Sequence, residues 1–426
     1  MKSRSVINRR LFAYTLFRVI AMKITAMFLS FCLMLCSAFG VSAKVATEGE
    51  IEDAMSEIAG YEEAAQIAAA AKNDVSLEIG AKSYILIDGL TGSVIAEKDA
   101  DNKLPLASIT KVMSLLLVME SISKGKLDFN TEVTASEHAS SMGGSQIWLE
   151  EGETMTVDEL LKAAVVASAN DAMTALAEAV SGSEESFVAE MNARASELGM
   201  KNSHFVNCSG LDAEGHYSSA RDIAIMSVEL MKHEEIKNYS TIWMDSLRDG
   251  KTELVNTNKL VRFYSGATGL KTGTTSSAGC CLSATAERDG LGLVAVVMGA
   301  KNSTERFNSA RKLLDFGFAN YKVVTVAPSF DHAALPSVKK GIGKQLSVKS
   351  EPAKFLVKKT SEEPELSYDF PDAVTAPVNK GDKIGEVTVT LGGKEIGKID
   401  ITAAEKIEKA DLLSVAAMLI FSLIGL

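Results

Sequence analysis

One stretch of the sequence constrains this chain more than any other. Between Ser108 and Ser123 the residues are apolar on almost every side, with Pro105 shortly before the stretch and Gly125 just after it. Proline favours a helix start and glycine a helix end, and a helix that is apolar all round runs through a core. Yet Ser108 and Lys111 are three residues apart, on one face of this helix. The fold therefore has to accommodate an amine and a hydroxyl in its interior.

The segments around this helix predict an α+β domain. Strands occur at both ends of the domain, and the residues between them, up to about Gly199, are mainly helical. The predicted strands are Ser83–Ile87, Val94–Lys98, Leu270–Thr274, Gly279–Glu287 and Leu291–Met298, and a helix is predicted at Ser303–Phe318. Strands that flank a helical block predict an antiparallel sheet covered by helices, with a helical subdomain.

A change of composition near residue 320 marks a second domain. Six of the seven prolines lie beyond it, and the sequence there consists of short Val- and Lys-rich strands with Gly-Asp and Gly-Gly turns. We therefore predict a first domain at residues 75–320 and a small all-β domain at residues 321–400.

The N-terminal region has the pattern of a signal peptide. Basic residues up to Lys23 precede the apolar stretch Ile24–Val41, and small residues at 41 and 43 form a cleavage site. This pattern predicts a signal peptide at residues 1–43, with an uncleaved transmembrane helix as the alternative. Residues 44–74, rich in Ala and Glu, follow as a lead-in segment.

We predict a membrane anchor in the C-terminal region, residues 401–426. Its last part, Leu412–Leu426, contains no charged residue. Because a spanning helix needs roughly 20 apolar residues, an amphipathic helix on the membrane surface or a short tilted anchor fits better. The alternative is a terminal helix packed on the protein's own core. Together with the signal peptide, the anchor predicts an exported protein held peripherally at the outer face of the cytoplasmic membrane.

Charge and residue types exclude several classes of function. The formal net charge is −11, and it becomes −17 without the six basic residues of the predicted signal. An acidic chain without a basic, aromatic-containing run is not expected to bind nucleic acid. The five histidines lack ligand spacing, so we expect no metal and no other cofactor. Cys208, Cys280 and Cys281 are expected to be buried free thiols, with a bridge from Cys208 to one of the other two as the alternative.

Ser108 and Lys111 have the spacing of a nucleophile and its base. An ordinary lysine is protonated near neutral pH, but burial and a second nearby cation lower its pKa. The neutral amine can then take the serine proton, while free amides at the helix start stabilise developing negative charge. Taken alone, Ser-x-x-Lys also fits a capping serine on the protein surface.

A second motif, Ser168-Ala169-Asn170, closes a helix that begins with a capping box at Thr156–Glu159. Its hydroxyl can relay protons and its amide can bind the substrate backbone. The alternative is a pair of polar residues that merely close a helix.

A third motif, Lys271-Thr272-Gly273, lies on a predicted strand and is followed by Thr274. The lysine supplies the second cation that lowers the pKa of Lys111, and the threonine hydroxyl can hold a carboxylate. Gly273 leaves the strand edge open, so that a peptide can lie alongside and direct its carbonyl oxygen to the amide of Thr274. The alternative is a solvated lysine on an edge strand.

Together, the order Ser-x-x-Lys, Ser-x-Asn, Lys-Thr-Gly resembles the serine penicillin-binding proteins and beta-lactamases. The resemblance is closest to the low-molecular-mass D-alanyl-D-alanine carboxypeptidases and covers about residues 75–400. The stretches that carry it are Leu104–Lys111, Ala167–Ala172, His216–Asp222 and Gly269–Thr275. It implies a beta-lactamase/transpeptidase-like fold followed by a small β domain. It also implies peptidoglycan stem peptides and beta-lactams as partners.

The resemblance also implies a role for each motif residue. The catalytic residues would be the nucleophile Ser108, its base Lys111 and the proton-relaying Ser168. The substrate-binding residues would be Asn170, Lys271, Thr272, Gly273, Thr274 and Arg306. The amides of Ser108 and Thr274 would form the oxyanion hole. Arg306 matches an arginine near the terminal carboxylate of the substrate, with a surface ion pair as the alternative.

Two other functions share the acylation chemistry. Class A beta-lactamases carry a Glu-x-x-x-Asn segment downstream of Ser-x-Asn, and no glutamate between Asp171 and Asp222 has an asparagine four residues on. A non-catalytic penicillin-binding sensor or scaffold is the second alternative, against which the presence of all three motifs argues. His216 and Asp222 are predicted to be structural, because no Gly-x-Ser-x-Gly elbow accompanies them.

Overall fold

The computed structural model describes residues 77–331, 333–341 and 345–411. The strands of the larger domain are, in chain order, β1 (Ser83–Asp88), β2 (Val94–Lys98), β3 (Glu132–Thr134), β4 (Thr154–Thr156), β5 (Met244–Leu247), β6 (Thr252–Val255), β7 (Ala267–Thr275), β8 (Gly279–Arg288) and β9 (Leu291–Ala300). Five of them form an antiparallel sheet in the order β2-β1-β9-β8-β7. This arrangement confirms the predicted sheet, and it places β7 at one edge.

Helices occupy the chain between β2 and β7 and the end of the domain. They are α1 (Lys111–Ser123), α2 (Glu137–Ser140), α3 (Val157–Lys162), α4 (Asn170–Ser181), α5 (Glu184–Glu197), α6 (Ala220–Met231), α7 (Lys237–Ser240), α8 (Leu260–Phe263) and α9 (Ser303–Asn320). Short 3-10 helices lie at Ala107–Thr110 and Glu234–Ile236, and a π-helical turn lies at Ala163–Ala167. In the described ranges no helix has both the length and the apolar character to cross a bilayer.

The central sheet is buried on both faces. On β1, Ile85 and Ile87 pack with the helical block, while Leu86 packs on the other side with Leu293 and with Leu314 of α9. Because strand side chains alternate between faces, a strand covered on both sides is apolar throughout. The two layers of helices therefore hold β1 and β9 in the middle of the domain.

Helix α1 runs through the core, as its sequence predicts. All its residues from Lys111 to Met119 are buried. Each fully buried leucine or methionine side chain stabilises the fold by about 1.5–3 kcal/mol. This apolar packing offsets the cost of enclosing the Lys111 amine.

The second domain is built from short strands. They are β10 (Tyr321–Val326), β11 (Ser337–Lys339), β12 (Val348–Lys349), β13 (Ala353–Lys358), β14 (Glu365–Asp369), β15 (Ala373–Thr375), β16 (Lys383–Leu391) and β17 (Lys394–Ala403). They enclose two small apolar clusters, one around Val387 and Ile401 and one around Leu346 and Ile407. The strand β17 runs past the predicted domain end at residue 400, because Ile401 and Ala403 are buried.

Several predictions concern the ends of the chain. The predicted signal peptide, the lead-in segment and Leu412–Leu426 lie outside the described residues.

Within the described part, Cys208, Cys280 and Cys281 are buried with free thiols, as expected. The alternative of a bridge from Cys208 is therefore wrong.

Candidate active site

The serine of the first motif lies in a tightly packed turn. Ser108 belongs to the 3-10 helix that leads into α1, and the preceding Ala107 has a φ of 49°, which is strained for a residue with a side chain. A Cβ on Gly210 would lie 2.0 Å from the carbonyl oxygen of Ala107, and one on Gly273 would lie 2.9 Å from the amide nitrogen of Ser108. Only glycine permits these approaches. As a result, a loop and the edge strand β7 both reach the backbone of this turn.

Lys111 is enclosed beside this serine. Its side chain has no solvent exposure, and its Nζ lies 3.3 Å from Ser108 Oγ, 2.5 Å from Asn170 Oδ1 and 2.7 Å from the carbonyl oxygen of Ser209. A neutral amine has two hydrogens and one lone pair. The two oxygen acceptors can take both hydrogens, which leaves the lone pair for the hydroxyl of Ser108.

The electrostatic setting favours this neutral amine. Burial lowers the pKa of Lys111 to about 7, although Cys208 and Asp171 oppose the shift. At neutral pH a substantial fraction of the amine can therefore accept a proton, unlike that of an exposed lysine.

The second motif comes to the same place through an interruption of its helix. After α3 the chain makes the π-helical turn Ala163–Ala167, and Ser168 then adopts the left-handed conformation with a φ of 63°. Asn170 begins α4, and its Nδ2 donates to the carbonyl oxygen of Gly143 at 2.7 Å. This break in the helix directs Ser168 and Asn170 toward the centre of the site, as π-turns often do.

Asp171 fixes the loop next to Asn170. Its carboxylate accepts hydrogen bonds from the amides of Ile147 and Leu149, each at 3.0 Å, and it is fully buried. The same loop supplies the carbonyl oxygen of Gly143 that holds Asn170. Asp171 therefore fixes the loop that holds the Asn170 side chain in place. No sequence pattern indicated this role.

The third motif lies on the edge strand β7, as predicted. Lys271 is buried, and its Nζ donates to Ser168 Oγ at 2.8 Å. The hydroxyl of Thr272 donates to Thr257 Oγ1 at 2.7 Å. The lysine thus joins the second and third motifs, and Thr257 is a neighbour that no sequence pattern indicated.

The two lysines influence each other differently from the sequence-based expectation. Burial and Lys271 were both expected to lower the pKa of Lys111; burial is the largest cause of the shift, as expected, but Lys271 is not one of the groups that produce it. For Lys271, burial and then the charges of Lys111 and Arg306 hold the pKa well below its usual range. Since two positive charges in one enclosed site repel each other, the pair favours a state with a neutral amine.

Arg306 reaches the site from α9. It is buried, and its guanidinium donates to Thr274 Oγ1 at 3.0 Å and more distantly, at 3.4 Å, to the carbonyl oxygen of Gly273. Burial lowers the pKa of Arg306. A group this enclosed is not a surface ion pair, so that alternative is wrong. With Thr274, which is exposed, Arg306 forms a cationic end of the site where a carboxylate can be held.

The structure brings all the predicted site residues together. Ser108, Lys111 and Asn170 are in direct contact on one side, and Ser168 contacts Lys271 on the other. The edge strand with Gly273 and Thr274 joins them. The arrangement has an activated hydroxyl, an acceptor for its proton and a cationic end, which suits acyl transfer from a peptide with a free carboxylate.

Comparison with families of known proteins agrees with this geometry. Residues 67–302 match the family described as D-alanyl-D-alanine carboxypeptidase, peptidase S11, and residues 332–409 match the C-terminal domain of penicillin-binding protein 5. The chain is 43% identical to D-alanyl-D-alanine carboxypeptidase DacF of Bacillus subtilis over 340 residues, which are 78% of this chain and 87% of that protein. It is 33% identical to DacC of Escherichia coli, over 78% and 85% of the two chains.

Comparison with solved structures points to the same family. Penicillin-binding protein 5 from Haemophilus influenzae superposes with a TM-score of 0.71 and 28% identity, covering 79% of this chain and all of that one. Penicillin-binding protein D2 from Listeria monocytogenes, in its cefotaxime-bound form, has a TM-score of 0.53 and 30% identity, covering 57% of this chain and 100% of its own. These likenesses confirm the predicted beta-lactamase/transpeptidase-like fold with its additional β domain.

Proposed function

Because this chain belongs to the D-alanyl-D-alanine carboxypeptidase family, it is a serine hydrolase of cell-wall peptides, and we propose that Ser108 carries its acyl-enzyme. The substrate is a peptidoglycan stem peptide that ends in D-Ala-D-Ala. The enzyme removes the terminal D-alanine. Beta-lactams acylate the same serine, because their strained amide resembles the dipeptide.

Acylation begins with proton transfer from Ser108 to Lys111. The neutral amine of Lys111, 3.3 Å from Ser108 Oγ, takes the proton as the oxygen attacks the carbonyl carbon of the penultimate D-alanine. The negative charge that develops on the carbonyl oxygen is held by the amides of Ser108 and Thr274. Gly273 permits this because it lets β7 approach the Ser108 amide closely.

Departure of D-alanine requires a proton on its nitrogen. Ser168 can deliver one, because Lys271 Nζ donates to its oxygen at 2.8 Å, which leaves the hydroxyl hydrogen for the leaving nitrogen. Asn170 positions the substrate backbone, and Arg306 with Thr274 holds the terminal carboxylate. Water then hydrolyses the ester on Ser108 and regenerates the free enzyme.

One observation carries this proposal. The amine of Lys111 is entirely buried in an apolar helix, has its hydrogens directed to Asn170 and Ser209, and has a pKa lowered to about 7. A lysine amine held in this way beside a serine hydroxyl is suited to act as a general base and is not part of a structural ion pair.

The test is intact-mass spectrometry of the full chain after incubation with benzylpenicillin, with D-alanine release from a D-Ala-D-Ala stem peptide assayed in parallel. We expect a long-lived adduct, and fragment-ion sequencing should locate it on the peptide that contains Ser108. Rapid turnover of penicillin without D-alanine release would instead indicate a beta-lactamase. An adduct with neither activity would indicate a sensor.

We further propose that the enzyme is exported and held at the outer face of the membrane by Leu412–Leu426. Assembled peptidoglycan lies outside the cytoplasmic membrane, so an enzyme that trims its stem peptides is expected to act there. The fifteen uncharged residues follow Asp411, the last described residue, which comes directly after the β domain. Burial of such an apolar segment in the headgroup region supplies peripheral attachment.

A truncation tests the anchor. A chain that begins at Lys44, after the predicted signal peptide, is expected to float with vesicles of anionic and zwitterionic phospholipid, whereas the same chain ending at Asp411 should remain in the soluble fraction. Both forms should acylate with benzylpenicillin at the same rate, which serves as the control for folding. Equal flotation of the two forms would contradict the proposed anchor.

A further inference from the structure

His216 lies behind the turn that carries Ser108 and has both ring nitrogens engaged. It is 6% exposed, and its Nδ1 accepts a hydrogen bond from the amide of Val206 at 2.9 Å. Because a backbone amide can only donate, Nδ1 carries no proton, and the proton of the neutral ring resides on Nε2. That nitrogen lies 2.7 Å from Thr110 Oγ1 and donates to it.

The chain of hydrogen bonds continues to the nucleophile turn. The hydroxyl of Thr110, having accepted from His216, donates to the carbonyl oxygen of Ala107 at 2.8 Å. All three bonds therefore run in one direction, from Val206 to Ala107. Ala107 directly precedes Ser108 and is the strained residue with a φ of 49°. A conformation of this kind persists only when its surroundings impose it.

The loop that includes Val206 and His216 also contacts the proposed base. The carbonyl oxygen of Ser209 accepts from Lys111 Nζ at 2.7 Å, and Gly210 packs against Ala107. One loop thus determines the position of the Ser108 backbone and the direction of the Lys111 amine.

We propose that His216 is a positioning residue. Through Thr110 and the carbonyl oxygen of Ala107, it keeps the hydroxyl of Ser108 within reach of the Lys111 amine. This role rests on the proposed function of Ser108 and Lys111. His216 is not itself the base, because Val206 and Thr110 occupy both of its ring nitrogens.

The charge state of the ring agrees with this geometry. Burial, and to a smaller extent His204, lowers the pKa of His216 to about 4, against the opposing charge of Asp212. The ring is therefore neutral wherever Lys111 can act as a base. A protonated ring would direct an N–H at the amide of Val206 and break the first bond of the chain.

A double-mutant cycle tests the proposal in the full-length protein. Thr110→Val removes the hydroxyl at nearly constant volume, His216→Leu removes both ring contacts, and His216→Gln keeps a donor near the position of Nε2. We expect benzylpenicillin acylation to be slower by about 10- to 100-fold in Thr110→Val and in His216→Leu, because small misplacements of reacting groups have effects of this size. The double variant should be no slower than the slower single variant. His216→Gln should recover part of the rate.

The pH profile separates positioning from other roles. In every variant the acylation rate should keep the midpoint of the unsubstituted protein, because Lys111 and not His216 takes the proton. A shifted midpoint in His216→Gln would overturn the positioning role. Additive losses, or rates per folded molecule equal to those of the unsubstituted protein, would overturn it as well. Circular dichroism gives the folded fraction.

The nucleophile variant distinguishes failure of this role from failure of the proposed function. An adduct that survives in Ser108→Ala would overturn both. Loss of the adduct in Ser108→Ala, together with unchanged rates in Thr110→Val and His216→Leu, would overturn the positioning role alone.

Discussion

The Ser108→Ala variant is expected to form no covalent penicillin adduct and to release D-alanine more slowly by a factor on the order of 10⁴ or greater. The change removes the hydroxyl oxygen that lies 3.3 Å from the Lys111 amine. Without it, the ester intermediate cannot form, and the other site residues can only orient a substrate toward water. Intact-mass spectrometry and a D-alanine release assay measure the two losses.

A serine of α1, the helix that follows the Ser108 turn, gives the matched control. Ser121 is buried, and its hydroxyl has no hydrogen-bond partner among the described residues. Ser121→Ala should therefore fold and acylate like the unsubstituted protein. If Ser108→Ala still gave the adduct, or if Ser121→Ala lost it equally, Ser108 would not be the nucleophile.

The Lys111→Met variant is expected to acylate about 10²- to 10⁴-fold more slowly, which is the usual contribution of a positioned general base. Methionine keeps much of the apolar volume but provides no proton acceptor. In the unsubstituted protein the rate should depend on the neutral form of Lys111, whose pKa is lowered to about 7. The rate should therefore rise with pH up to about 7, falling about tenfold for each unit below it, and level off above.

Stopped-flow acylation between pH 5 and 9 measures this profile. Lys124→Met is the control, because Lys124 is exposed at the end of α1 and its Nζ pairs with Glu120 at 3.2 Å. It should leave the rate and the midpoint unchanged. A profile that stays flat across this range, or a Lys111→Met variant of near-normal rate, would show that another group accepts the proton.

Local sequence patterns predicted the elements of the larger domain well. The strand at Val94–Lys98 has the predicted bounds, and the strands near residues 83, 279 and 291 differ by one or two residues at their ends. The capping box at Thr156 is present, with Glu159 in its reciprocal contact. These features depend on alternation, turn residues and caps, all of which are encoded within a few neighbouring positions.

The remaining features of the site depend on residues far apart in the sequence. No local pattern predicted the π-helical turn before Ser168, the carboxylate of Asp171 beneath its loop, or the bond of His216 to Thr110 across 106 positions. From the sequence, His216 is predicted to have a structural role only. The proposed positioning role became visible once the distances were known, because three aligned hydrogen bonds cannot be read from residue types.

The order of the strands has a consequence for how the enzyme acquires its activity. Strand β1 lies before the nucleophile and pairs with β9, which is separated from it by about 200 residues. Lys271 of β7 meets Ser168, and Gly273 approaches the Ser108 amide, only once these distant strands have joined one sheet. An incompletely folded chain therefore contains an ordinary serine and an ordinary, protonated lysine. Reactivity toward an acyl donor therefore requires the last strands to join the first, so that a chain in which this pairing is incomplete is chemically silent.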